Sequence, residues 1–275
     1  MPLIVQGLQA MRLLVREDGR INGAKFRLPD GGTRRISAGA VVLASGTLEN
    51  TRLYAQALAH TGYRVTRWPG LNDHLPHGFI APLPAALRRD WVAPERAFLW
   101  ADHDARLRGN LFVDIHTAQQ PEPVLDLWWL AQQEEPFLDS ILFVPEEEVW
   151  SARVEAGLRN LDSSAMERRD QYARGLLEAL SLPEERVPAD GPPDLYTAVD
   201  RAQATGRAVR YVNPLGHSDH EAGTIALGAH LAPGGRAPWA DGLFVAGPAT
   251  FPAPGAANPT LTMIALAAQT AAAIV

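Results

Sequence analysis

Apolar and polar residues alternate along residues 11–45, in stretches such as MRLLV and AKFRL that are separated by Asp18-Gly19, Asn22-Gly23 and Asp30-Gly31-Gly32. Period-two alternation broken by glycine turns predicts a β-meander of short strands. The same alternation runs back into MPLIVQGLQAMRLLVRED, which predicts strand there too. The pattern then changes. Ala40-Val41-Val42-Leu43-Ala44-Ser45-Gly46 is a continuous apolar run closing on glycine, predicting a strand covered on both faces, as in a parallel sheet. A helical stretch over 48–58 follows. Leu243-Phe244-Val245-Ala246-Gly247 repeats the motif of a short apolar strand ending in glycine. Glycine at such a carboxyl end lets backbone or ligand approach closely.

Between about 81 and 205 the chain is rich in tryptophan and interrupted by proline, as in WVAPERAFLW, LDLWWLAQQEEPFLDS and ILFVPEEEVW, which predicts a second, inserted domain. Within it, AMERRDQYARGLLEAL has a 3.6-residue apolar rhythm, with Ser163 or Ser164 as a cap and Pro183 as a stop. The expected organisation is therefore three segments, 1–80, 81–205 and 206–275, in a mixed α/β chain. The last helix is expected to open at Asn258-Pro259, because asparagine caps free amides and proline fits the first helical position. Residues 259–275 fall short of the ~20 apolar residues of a membrane span and contain Thr260, Thr262, Gln269 and Thr270, so a buried helix is predicted.

Composition narrows the chemistry. With 275 residues, 47% of them hydrophobic, a substantial core is available. A net charge of −6, with Lys25 the one lysine, argues against a basic nucleic-acid-binding face. The absence of cysteine excludes disulfides, thiolate catalysis and cysteine-held zinc or iron–sulfur centres. The amino terminus lacks the basic start and apolar block of a secretory signal, from which a cytoplasmic chain is expected. Oxygen, imidazole and cofactor chemistry remain.

Three segments carry a resemblance: HSDHEAGT at 217–224, GLFVAGPATFP at 242–252, and GAANPTLTMIALAAQTAAAIV from 255 onward. Together they resemble the carboxyl-terminal signature of the glucose–methanol–choline (GMC) oxidoreductases, and the Asn-Pro-Thr version is most similar to pyranose oxidase and cholesterol oxidase members. AVVLASGTLENTRL resembles the family's flavin-domain strand and helix, and GLNDHL at 70–75 imperfectly resembles its Gly-x-Asn-x-x-Asp-His loop. The resemblance implies an incomplete FAD-binding, Rossmann-like flavoprotein domain with an inserted substrate-binding domain. Its implied activity is FAD-dependent oxidation of an alcohol or sugar CH–OH group. By the same resemblance His220 is the proton-accepting base and Asn258 its hydrogen-bonding companion, with Gly46, Gly247, Pro248, Asn258, Pro259, Thr260 and Leu261 on the cofactor side. The chain has no Gly-x-Gly triplet. The pyrophosphate-binding Gly-x-Gly-x-x-Gly half is therefore expected from a partner chain, or else is lost by truncation.

Other readings stand beside these. His217 and His220, three apart, could ligate zinc, although a third ligand is not obvious and the neighbouring glycines favour a loop; a His/Asp metal hydrolase using His217, Asp219 and His220 is the rival reading, and no metal is assigned. The chain could also be a non-catalytic subunit or remnant. Asn258 as a plain helix cap, His220 as a structural histidine, and Gly46 and Gly247 as ordinary strand ends are the simpler assignments. His74 and His77 are expected to shape a loop, and Glu146-Glu147-Glu148 to form a solvated face. Trp128, Trp129 and Trp150 suit the core or the wall of a ring-binding pocket.

Overall fold

The computed structural model describes residues 3–88, 96–104, 107–116, 122–133, 140–155, 163–253 and 255–274. Parts of the tryptophan-rich stretches, Pro254 and the side chain of Ser163 lie outside the described residues. The elements run β1 (Gln9–Val15), β2 (Ile21–Arg27), β3 (Thr33–Ser37), β4 (Val41–Leu43), α1 (Thr47–Ala59), β5 (Arg67–Trp68), β6 (Leu71–Asn72), β7 (His77–Pro82) and α2 (Ala85–Arg88). They continue as β8 (Arg96–Asp104), β9 (Gly109–His116), β10 (Val124–Ala131), β11 (Ile141–Val144), β12 (Ser151–Val154), α3 (Ser163–Ala179) and α4 (Leu195–Thr205). β13 (Val209–Val212), β14 (Ala222–Gly223), β15 (Leu243–Val245) and α5 (Thr260–Ile274) complete the order.

The predicted meander forms: β1, β2 and β3 are successive antiparallel neighbours. The alternation before it does not become strand. Leu3, Ile4 and Val5 are exposed ahead of β1, because alternation yields a strand only where a neighbour accepts its hydrogen bonds. β4 and β15 pair in parallel, Val41 with Leu243 through Leu43 with Val245, as the two apolar runs suggest. Coverage of β4 on both faces is not observed, since Val42 is 41% exposed in this two-stranded sheet.

A five-stranded antiparallel sheet, ordered β13-β7-β10-β9-β8, fills the middle of the chain. Successive strand residues face opposite sides. Phe79 on β7 joins Leu127 and, from α3, Ala173 and Leu177 on one face. Its neighbour Ile80 joins Val124, Tyr211 and, from α4, Ala198 on the other. The sheet draws on residues to either side of 81–205, because β7 starts at His77 and β13 ends at Val212. A separate core gathers Leu53 and Tyr54 of α1, Ile141 and Phe143 of β11, Trp150, and Leu243 and Val245 of β15.

The terminal helix contradicts its predicted burial. Thr270 is buried, while Leu261 is 78% and Ile264 63% exposed. α5 packs against the 3₁₀ turn Pro233–Gly235, where Ala273 lies close to Gly234. Apolar composition favours burial only where a surface is present to pack against.

Arg52 fastens α1 to the meander. Its guanidinium donates to the carbonyls of Met11 and Ala10, each at 2.9 Å, and to Gln56 and Glu49. The side chain is nearly buried, so Arg52→Met strips a buried carbonyl, Met11, and a part-buried one, Ala10, of their donors. We expect it to lower unfolding free energy by about 2–4 kcal/mol in urea titration. A change below ~0.5 kcal/mol would show that the guanidinium is dispensable.

Candidate functional site

Asn50 is buried on the first turns of α1, and its carboxamide links the carboxyl ends of the parallel strands. Its Oδ1 accepts from the Ser45 amide at 2.7 Å and its Nδ2 donates to the Ala246 carbonyl at 3.0 Å. Gly46 and Gly247 follow immediately, with φ of 83° and 100°, a region that strains residues with a Cβ. No atom lies within 4 Å of where a Cβ would stand on either. Two backbone turns thus open onto free space at neighbouring strand ends. Pro248 begins the 3₁₀ turn Pro248–Thr250 beyond Gly247.

The two loops read from sequence as GLNDHL and HSDHEAGT hold each other. β6 pairs with β14, and an added Cβ at Gly223 would stand 2.0 Å from the Gly70 carbonyl, so the closeness requires glycine. Asp73, 3% exposed, accepts from the Gly216 amide at 2.7 Å and from the Ser218 hydroxyl at 3.1 Å. The Thr47 hydroxyl donates to the Glu221 carbonyl, and Thr51 donates to the Thr224 hydroxyl at 2.8 Å. These bonds fix the backbone on both sides of His220.

The His220 ring meets His74 edge to face, with centroids 5.1 Å apart at 82°. Its Nδ1 is buried without a hydrogen-bond partner among the described residues. His74 is fully buried; its nitrogens face the Ala131 and Gly255 carbonyls without a well-aligned bond. Burial, reinforced by His220 alongside, depresses its pKa to about 4 and keeps it neutral. His77, also expected in a loop, opens β7 and is driven to about 3 by burial.

His220 and Asn258 line one cavity of about 300 Å³, with His217 and Ser218 beside them. Asn258 is exposed, and its side chain makes no hydrogen bond among the described residues. α5 starts at Thr260, and the Pro259 carbonyl receives the Met263 amide at 2.8 Å. The expected asparagine cap is thus displaced by one residue, leaving the Asn258 carboxamide free of a capping role. Thr260 and Leu261 are exposed on the helix's first turn. Gly46, Gly247, Pro248, Pro259, Thr260 and Leu261 do not line this cavity.

Other lining residues of this cavity come from the five-stranded sheet. Asp126 is 2% exposed and accepts from the Tyr211 hydroxyl at 3.0 Å and from His116 Nε2 at 3.2 Å. Burial raises the pKa of its carboxyl. Trp128 also lines the cavity, stacked on Phe112 with 4.4 Å between centroids, while Trp129 and Trp150 are core residues. Glu146 and Glu147 are exposed as expected, but Glu148 pairs with Lys25 at 2.7 Å. His217, Asp219 and His220 form no three-ligand metal cluster among the described residues. The sequence reading missed Asn50, Asp73, His116, Asp126 and Tyr211 as site residues. Asn50 and Asp73 lay inside the two family-like segments, the one signal that could have found them.

Residues 148–267 match the family described as GMC oxidoreductase, so this part of the chain is similar to the carboxyl-terminal portion of that family. The crystal structure of pyridoxine 4-oxidase from Mesorbium loti superposes with a TM-score of 0.59 at 15% identity, covering 97% of this chain. The chain spans 57% of that protein's length. No curated protein matches it in sequence. The structural likeness extends the shared fold beyond the segment matched by family.

The buried histidines set a pH dependence. Their folded pKa values lie below the unfolded value of about 6.5, so unfolded chains bind more protons between the two limits. Their contribution to stability is complete above pH ~6.5 and is lost as pH falls towards the folded values of about 4 and 3. Buried Asp126 and Asp170, raised by burial, act in the opposite direction. We expect His77→Gln to flatten the fall in urea midpoint between pH 6.5 and 4 relative to wild type. Parallel profiles would contradict the assignment.

Proposed function

We propose that this chain forms the substrate-side and catalytic part of an FAD-dependent oxidoreductase acting on CH–OH groups of an alcohol or sugar. The observation that carries the reading is the meeting of His220 and Asn258 on one cavity, within a segment of GMC family sequence. FAD, when bound, would supply the two-electron acceptor for the substrate's carbon-bound hydride. Gly46, Gly247 and Pro248 border the cofactor side, where the open space over both glycines suits close approach of a flat ring. Pro259, Thr260 and Leu261 present the first turn of α5, whose amides oppose negative charge on a ring edge.

His220 accepts the hydroxyl proton of the substrate, and the Asn258 carboxamide holds the same oxygen without competing as a base. His74, neutral and buried, backs the His220 ring without adding positive charge. Asp73 holds the loop in place through two hydrogen bonds. Residues 81–205 contribute the substrate domain, and 1–80 with 206–275 the flavin domain. The resident molecule would be a small alcohol, which a cavity of about 300 Å³ accommodates. The similarity in fold to a pyridoxine 4-oxidase supports an oxidoreductase reading.

Because these 275 residues lack a Gly-x-Gly triplet, we infer that the pyrophosphate-binding half comes from outside them, on a partner chain or on sequence lost by truncation. The exposed apolar surface of α5 supports a further packing surface there. Flavin absorbance in a co-purified assembly, absent from the chain alone, is the expected result. A colourless assembly would favour a non-catalytic remnant.

In flavin-loaded assembly, His220→Ala is expected to slow flavin reduction by about 10²-fold or more under single-turnover conditions. An unchanged rate would remove His220 from the reaction. Asn258→Ala is expected to slow the same step while changing stability by less than ~0.5 kcal/mol, since its side chain caps nothing. A loss of stability without a loss of rate would return Asn258 to a structural role.

A further inference from the structure

The segment that delivers Asn258 to the cavity has little means of holding itself. Residues 252–257 read Pro-Ala-Pro-Gly-Ala-Ala, so none carries a side chain that can hydrogen-bond. Among the described residues, 252–258 make no backbone–backbone hydrogen bond to one another or to a neighbouring element. Ala257 and Asn258 are exposed. Such a loop keeps its conformational freedom unless an outside group fixes it. Among the described residues, the hydrogen bond that reaches it from another element comes from the second residue of β9: Asn110 Nδ2 donates to the Ala256 carbonyl. Asn110 itself sits on a firmly packed strand end. Gly109 beside it is buried, a Cβ there would stand 3.1 Å from the Trp129 ring, and the Arg108 carbonyl accepts from the Gln132 amide at 2.9 Å. Across the β9–β10 ladder Asn110 pairs with Leu130, which lines the cavity shared by His220 and Asn258. Asn110 does not line that cavity, so it acts there through the loop alone.

We propose that Asn110 is the positioning residue for Asn258: its carboxamide ties the loop to the sheet at the Ala256 carbonyl, two residues before Asn258, and so sets where the Asn258 side chain stands in the cavity. The sheet that contributes Leu130 and Trp128 to the cavity thereby also sets the reach of Asn258. A substrate resting on those two side chains and the carboxamide that meets its oxygen are then referred to one stiff element, which is what a reactive alignment requires. What Asn258 does for the reaction rests on the oxidoreductase reading; that Asn110 holds it in place does not.

Asn110→Leu keeps the shape and removes the donor. In the full chain, backbone nitrogen relaxation by NMR is expected to give order parameters of about 0.85 for the Ala256, Ala257 and Asn258 amides, falling below about 0.6 in Asn110→Leu while the β9 and β10 amides stay unchanged. Asn110→Asp, equal in size and without a donor, repeats the measurement if Asn110→Leu fails to fold. A loop already below about 0.6 in wild type, or as rigid in the variant as in wild type, would overturn the proposal. So would a loss of order spread evenly over the sheet, which is what a merely structural role gives. In flavin-loaded assembly, Asn110→Leu is expected to slow flavin reduction about 10-fold, but by less than about 2-fold once Asn258→Ala is present, because residues that act through each other are not additive. Equal slowing in both backgrounds would also overturn it. If the wild-type assembly reduces no flavin, the oxidoreductase reading falls, and the relaxation data alone decide for or against Asn110.

Discussion

The parallel pairing of Val41–Leu43 with Leu243–Val245 is the constraint on which the arrangement depends, because it brings remote parts of the chain to a common edge. Asn50 completes it by bonding both strand ends with a single carboxamide. Backbone groups at those ends would otherwise lie unpaired, so the side chain serves a need that neither strand meets alone. Once α1 is fixed, Thr47 and Thr51 reach the loop that carries His220. The same helix buries Leu53 and Tyr54 beneath β11, which connects the strand ends to the middle of the chain.

The candidate site lies where two kinds of structure meet. One side is a loop clamped by Asp73 and the β6–β14 contact; the other is the face of a stiff antiparallel sheet. Polar groups from the loop and from Asn258, just ahead of α5, share one cavity with Asp126 and Trp128. Under the proposed function the proton-accepting chemistry belongs to the loop. The neutral state of His74 suits that role, since a charged neighbour would discourage His220 from taking up a proton.

Much of this was legible in the chain. The apolar runs ending at Gly46 and Gly247, the alternating meander and the amphipathic α3 are local patterns, and local patterns report strands and helices directly. The residues resembling a known family also led to His220 and Asn258, which the fold brings to one cavity. What escaped was tertiary in origin. Asn50 and Asp73 matter because of distant backbone groups, and a lone polar residue carries no periodicity that betrays such a partner. Asp126 reads as one charge within an apolar strand until Asp114 is found opposite it. The exposure of α5 escaped for a related reason: its sequence reports hydrophobicity, whereas burial depends on what lies beside it.

The most direct measurement follows the His220 imidazole by NMR as a function of pH in wild type and in Asn258→Asp, with the resonance assigned through His220→Gln. The substitution changes almost nothing but charge. If the two side chains share a cavity, the new carboxylate should make His220 retain its proton to higher pH, by about one unit. An unaltered titration in a folded variant would show that the two groups do not face each other, and the account would fail.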